Sequence, residues 1–192
     1  MSRMTLKRAL LGAVTLAVVA AGASTAVLYG GMINVAATDR HWSGTEWALH
    51  TTMENSVRRA ARGIVPPDGI DLRDPALAER AFGHYSVACT TCHGAPGVGA
   101  SPWMITNPPS PLLVETAGKW SDGELYWIVK HGIKMTGMPA LGPTHADQDL
   151  WAIAAFVRQL PTMTSEEYQA MSKRHEERKH AEHGAHAHHD HM

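Results

Sequence analysis

Five consecutive residues, Cys89-Thr90-Thr91-Cys92-His93, constrain this chain more than any other stretch. They hold both cysteines of a 192-residue protein and set them directly before a histidine. Two thiols with two residues between them on one helical turn can add across the two vinyl groups of a single porphyrin. The adjacent imidazole then falls onto the iron, which is the C-x-x-C-H pattern of covalent haem c attachment. A structural disulfide, a thioredoxin-like redox pair and half a zinc site lack comparable support. No second C-x-x-C and no H-x-x-x-H completes a tetrahedral centre, and no β-rich context precedes the motif. One covalent haem c, held by Cys89 and Cys92 with His93 on the iron, is the expectation.

The rest of the chain bounds what can surround that motif. A net charge of −1 and the lack of a basic stripe argue against nucleic acid as a partner. Residues 9–37 carry no charge, and Arg3, Lys7 and Arg8 lie just ahead of them. As one helix that run would be about 43 Å long, more than a hydrocarbon core of roughly 30 Å requires. It reads as an uncleaved anchor with its basic end in the cytoplasm. The competing reading is a cleaved signal peptide with Ala21-Gly22-Ala23 as its site. Either one exports the remainder, in keeping with haem c attachment on the outer side of the bacterial inner membrane, so the haem domain is expected in the periplasm.

Four segments follow from pattern and punctuation: an N-terminal membrane segment (residues 1–37), a juxtamembrane amphipathic helix (38–65), an all-α haem domain (66–163) and a charged, His-rich tail (164–192). Trp42, Trp47, Leu49, Met53 and Val57 recur at roughly helical spacing in the second, with the tryptophans suited either to lipid headgroups or to packing on the domain or a partner. Gly63 and Pro66-Pro67 mark the boundary after it. Asp74-Pro75 starts a helix that should run into the haem motif. Residues 94–119, rich in Pro and Gly, are expected to wrap the haem edge. Ser121-Asp122-Gly123-Glu124 is a capping box for a helix closed by Gly132. A further helix starts between Thr144 and Asp147 and ends by Pro161, and no period-2 strand pattern appears.

The sixth iron position decides between electron transfer and ligand binding. Met138, between Gly137 and Pro139, is the preferred ligand, because a Gly- and Pro-defined loop can aim a thioether without competing with helix geometry. Met135 is second and Met104 third. His84, His131 and His145 offer a bis-histidine alternative, while His41 and His50 read as polar positions on the interfacial helix. Methionine opposite histidine raises the reduction potential relative to two nitrogen ligands.

Gly83-x-Tyr85 ahead of Cys89-x-x-Cys92-His93-Gly94, then Gly137-Met138-Pro139-Ala140, then Leu150-Trp151-x-Ile153-x-x-Phe156-Val157 resemble the small class I cytochromes c, including single-haem domains of haem-copper oxidase subunits. The resemblance covers roughly residues 70–162. It implies the small cytochrome c fold, a close crossing of first and last helices with Gly83 giving room and Tyr85 or Trp151 packed there, and a proline carbonyl accepting the His93 ring N–H. Pro109 and Pro111 both fit that role.

The tail ends with His175, His180, His183, His186, His188, His189 and His191. Residues 166–179 suit a solvated helix, and the last dozen suit disorder. Imidazoles this dense would take divalent transition metals, and His183, His186, His188, His189 and His191 form the candidate tail site.

The combined expectation is a membrane-anchored periplasmic monohaem electron carrier that transforms no substrate itself. Its partners would be a dehydrogenase, a quinol-oxidising complex or a terminal oxidase. A haem-based gas sensor or a metal-handling protein is the alternative.

Overall fold

The computed structural model describes residues 3–187, with side chains over residues 5–181. Among the described residues there is no strand, and the sole β-type pairing is an isolated bridge between Ala95 and Val98. The chain divides into two units, Met1–Asp39 and Arg40–Met192.

The first unit is one helix, α1 (Arg3–Tyr29). Its stretch Thr5–Tyr29 has a mean hydropathy of 2.0 and buries none of its surface within the protein. Its length and composition are compatible with a membrane anchor. Thr15 and Thr25 turn their hydroxyls back onto the Leu11 and Ala21 carbonyls at 3.0 and 2.9 Å, so these polar side chains are satisfied inside the helix. The uncharged run continues to residue 37, but the helix stops at Tyr29. Gly30 and Gly31 follow, and Gly31 takes φ +63°, a conformation that ends a helix. Residues 9–29 then measure about 32 Å, close to the roughly 30 Å hydrocarbon thickness, rather than the 43 Å of the whole run.

The second unit holds α2 (Ser43–Ala60), α3 (Pro75–Ala88), α4 (Thr90–His93), α5 (Leu113–Thr116), α6 (Asp122–His131), α7 (Asp147–Gln159) and α8 (Ser165–Ala187). The start signals work as the sequence suggests. The Asp74 carboxylate accepts from Ala76 N at 2.9 Å with Pro75 in the first helical position. Ser121 and Glu124 bond reciprocally as a capping box, and Gly132 ends α6 with φ +63°.

Helix α7 is the centre of the core. Its run from Leu150 to Val157 is buried all round, which explains why the sequence there is apolar without a helical stripe. It crosses α3, where Phe156 meets Phe82 edge-on at 5.9 Å and Tyr85 at 4.6 Å. It meets α6 through Trp151, stacked on Tyr126 at 4.1 Å. Of the two aromatic residues expected at the first crossing, Tyr85 is therefore the one there, and Trp151 serves the second.

Two elements outside the expected haem domain pack on it. Val57 and Ala61 of the α2 end join the core, Glu54 pairs with Lys119 at 2.7 Å, and the Arg58 guanidinium lies over Trp120 at 5.7 Å. Helix α8 runs to Ala187, well past residue 179, and its first turns are not solvated all round. Tyr168 and Met171 are buried, while Arg174 and Arg178 both bond to Glu79 of α3. The His175 ring lies against Phe82 at 5.6 Å. A Cβ on Gly83 would run into that His175 ring. Gly83 thus makes room for α8 rather than for the α3–α7 crossing.

Candidate haem site

The motif occupies a single turn between two helices. Cys89 caps the end of α3, with its N–H on the Tyr85 carbonyl at 2.9 Å, and its own carbonyl accepts from Cys92 N at 3.1 Å and His93 N at 2.9 Å. The turn places Cys89, Cys92 and His93 side by side, with both thiols free. Burial pushes the Cys89 thiol up to about 11, with Cys92 adding to the rise. A thiol so far above neutrality is a poor thiolate, which disfavours a redox-pair role for it.

Everything around the turn holds it in place. Gly94 ends α4 at φ +65°, and a Cβ there would meet the Val98 carbonyl at 2.8 Å. The buried Tyr85 hydroxyl donates to the Gly94 carbonyl at 2.7 Å. Burial, helped by Cys89 and Tyr168, raises the Tyr85 phenol, so it remains a donor. Ser101 N reaches the Thr91 carbonyl at 2.8 Å and pins the following loop. Ser165, at the start of α8, fills the space beside Gly97 at φ +73°.

The His93 ring is oriented by Pro111, whose carbonyl lies 2.8 Å from Nδ1. With Nδ1–H donating there, Nε2 is the nitrogen free for a metal. Sequence left Pro109 and Pro111 open, and the geometry selects Pro111.

The second loop is built by its own hydrogen bonds. Ile133 N bonds to the Met138 carbonyl at 3.2 Å, Thr136 Oγ1 to the Ile133 carbonyl at 2.7 Å, and Met138 N to Thr136 Oγ1 at 3.1 Å. Gly132 is required here, since a Cβ would meet the Met138 carbonyl at 2.6 Å. A chain of contacts links this loop to His93. Gly137 lies against Thr106, Thr106 bonds to Ser110 at 3.1 Å, and the next residue, Pro111, holds His93. Met138 is half-buried, whereas Met135 sits at the turn tip with φ +60° and is 93% exposed. Met104 is also largely exposed.

The other histidines are used elsewhere. His84 faces His145 at 4.6 Å against α7, His131 lies on Trp127 at 4.9 Å, and His50 pairs with Glu54 at 3.7 Å; His41 is exposed. Burial lowers the His84 imidazole, His145 lowers it further and Asp149 opposes them. Tail residues His183 and His186 fall on the backbone of α8, while His188, His189 and His191 lie outside the described residues. Among the described residues, no group of three or more His, Cys, Asp or Glu is placed to hold a metal ion.

The residues present fit a haem. Within residues 66–163 the exposed large apolar side chains are Val87, Val98, Trp103, Met104, Ile105, Leu112 and Met135, all just before the motif or on the loops at it. Apolar side chains left exposed on these segments, two free thiols and one oriented imidazole suit a flat apolar ring attached at its edge.

Residues 76–157 match the family described as cytochrome C oxidase, cbb3-type, subunit III. The match covers α3 to most of α7, less than half of the chain, and leaves out α1, α2 and α8. No curated protein matches the chain. The likeness to a cytochrome c domain supports haem binding and a haem-based electron-transfer function.

Proposed function

We propose that this protein is a membrane-anchored single-electron carrier with one covalently held haem c in the periplasm. The observation that carries the reading is the His93 Nδ1 contact with the Pro111 carbonyl, on the same turn as two free thiols. That arrangement leaves one imidazole nitrogen and two sulfurs for a single prosthetic group.

Bound there, haem would supply a one-electron ferric and ferrous couple. Cys89 and Cys92 would hold it by thioether bonds, His93 Nε2 would be one axial ligand and the Met138 thioether the other. The chain's own contribution is rigidity. Pro111 fixes the imidazole plane and strengthens its donation, Tyr85 clamps the Gly94 carbonyl, and Gly132 with Thr136 sets the methionine loop. Loops held this way by their own hydrogen bonds would move little when a haem held by His93 and Met138 gained or lost an electron, which is what a carrier requires. With His93 and Met138 as its ligands, the soft Met138 sulfur would favour the reduced form and give a high potential. No step transforms a substrate. A dehydrogenase or quinol-oxidising complex would donate and a terminal oxidase would accept, consistent with the oxidase-subunit likeness. Arg3, Lys7 and Arg8 ahead of the apolar span support a cytoplasmic N-terminus and an exported haem domain.

The test is the visible spectrum of the exported protein. A pyridine haemochrome spectrum should show a haem with both vinyl groups saturated, at one per chain. The oxidised protein should show the weak far-red band of methionine-ligated ferric haem, lost in Met138→Ala and kept in Met135→Ala. Retention of the band in Met138→Ala, or ready binding of carbon monoxide by the reduced wild type, would overturn the ligand assignment.

A further inference from the structure

Large apolar side chains lie exposed in sequence from Leu6 through Tyr29, Met32, Ile33, Val35, Trp42 and Trp47 to Leu49, and the next after Leu49 is Val65. The break falls in the middle of α2. The second half of this helix is seated on the haem domain, where Val57 is 1% exposed and Met53 is half-buried. The same stripe continues toward the N-terminus to Leu49, four residues before Met53, while Trp47, two residues from Leu49, lies about 160° around the helix from it. There the domain no longer covers it, and Trp47 is 70% and Leu49 57% exposed. Trp42, just ahead of the helix, is 79% exposed, with its ring folded over Gly44. Half of an amphipathic helix is thus packed, and the other half carries its apolar stripe out of the protein.

The position in the chain selects what covers it. Even at full extension the stretch from Tyr29 to Trp42 reaches only about 45 Å. Its first part contains Met32, Ile33 and Val35, all exposed, so the chain leaves the span still apolar before Asp39 and Arg40. Tryptophan suits the headgroup level of a bilayer, since its ring is apolar and its indole N–H needs a polar partner. We infer that the first half of α2, with Trp42 and Leu49, lies in the lipid headgroup layer and forms a second membrane contact beyond the span. This rests on the anchor reading above and deepens it.

The consequence is orientational. The seated half of α2 is tied down by Glu54 to Lys119 at 2.7 Å and by Arg58 over Trp120 at 5.7 Å. A helix fixed at one end to the haem domain and at the other to the lipid surface restrains how that domain turns on the membrane. The haem edge would then be presented in a restricted set of directions, as suits a carrier serving membrane-bound partners.

Because Cys89 and Cys92 are consumed as thioethers in the loaded protein, an added cysteine is a unique labelling site. The full haem-loaded chain is placed in nanodiscs of phosphatidylethanolamine and phosphatidylglycerol. A nitroxide is attached at Leu49→Cys or, on the opposite exposed side of α2, at Asn55→Cys. Collision with lipid-soluble oxygen relative to water-soluble nickel chelate should be several-fold higher at position 49 than at 55. It should fall toward the value at 55 when Trp42→Ala is added, with the visible spectrum unchanged. Equal nickel access at both positions overturns the inference, and shielding from both reagents at 49 overturns it in favour of a protein contact. Failure of the chain to enter nanodiscs overturns the anchor reading itself, a separate outcome read before any label is scored.

Discussion

Burial holds the His84 imidazole below its ordinary value of 6.5, the facing His145 adds to this, and Asp149 opposes it. Its Nε2 is shut from solvent without a protein partner. A histidine whose folded value lies under its unfolded value binds more protons when unfolded, so protonation favours unfolding. Stability should therefore decline as pH falls below about 6.5, the unfolded value, and level off once below the lowered folded one. Urea unfolding across that range should give a flatter profile for His84→Gln, and matching slopes would remove His84 as the source. At this scale the sequence was explicit about Cys89, Cys92 and His93, because their chemistry lies in spacing along the chain. It could not choose between Pro109 and Pro111, since both are near enough in sequence and only the path of the loop brings one carbonyl to Nδ1.

Helix α8 shows what a local pattern hides. Its composition is charged and histidine-rich, as in a solvated helix, yet three turns of it are held by Tyr168, Met171, His175 and the two arginines on Glu79. Few anchors are enough when the surface they meet is shaped for them, and Gly83 and Gly97 supply the notches for His175 and Ser165. Gly83→Ala puts a methyl into the space of the His175 ring, an overpacking expected to cost about 1–3 kcal/mol. The expected result is faster hydrogen exchange in residues 168–175, with the haem spectrum kept because the Cys89 turn and the methionine loop are untouched. Unchanged exchange would mean that the ring moves aside freely. The capping signals of α3 and α6 were legible because an N-cap and its partner lie within three residues of each other. The packing of α8 was not, since its partner helix lies some 90 residues earlier.

For the whole molecule, the core of the second unit contains no residue before Met53. Deleting residues 1–39, with a cleaved export signal in their place so that haem is still attached, should therefore leave the visible spectrum and the urea midpoint unchanged. The same deletion should make the protein extractable from membranes by alkaline carbonate, which the full chain resists. A truncated protein that loses haem or unfolds at lower urea would show that the second unit depends on the first.

The sequence by itself determined the C-x-x-C-H turn, the all-α class, the apolar N-terminal helix and the Gly- and Pro-framed loop around Met138. Each of these is written in spacing, periodicity or a Gly and Pro frame over a few residues. Tertiary structure alone decided which proline orients His93, which aromatic ring sits at each helix crossing, why Gly83 is there and where α2 leaves the domain. These depend on contacts between residues far apart in the chain, and such contacts exist only once hydrophobic burial has brought α3, α6, α7 and α8 together.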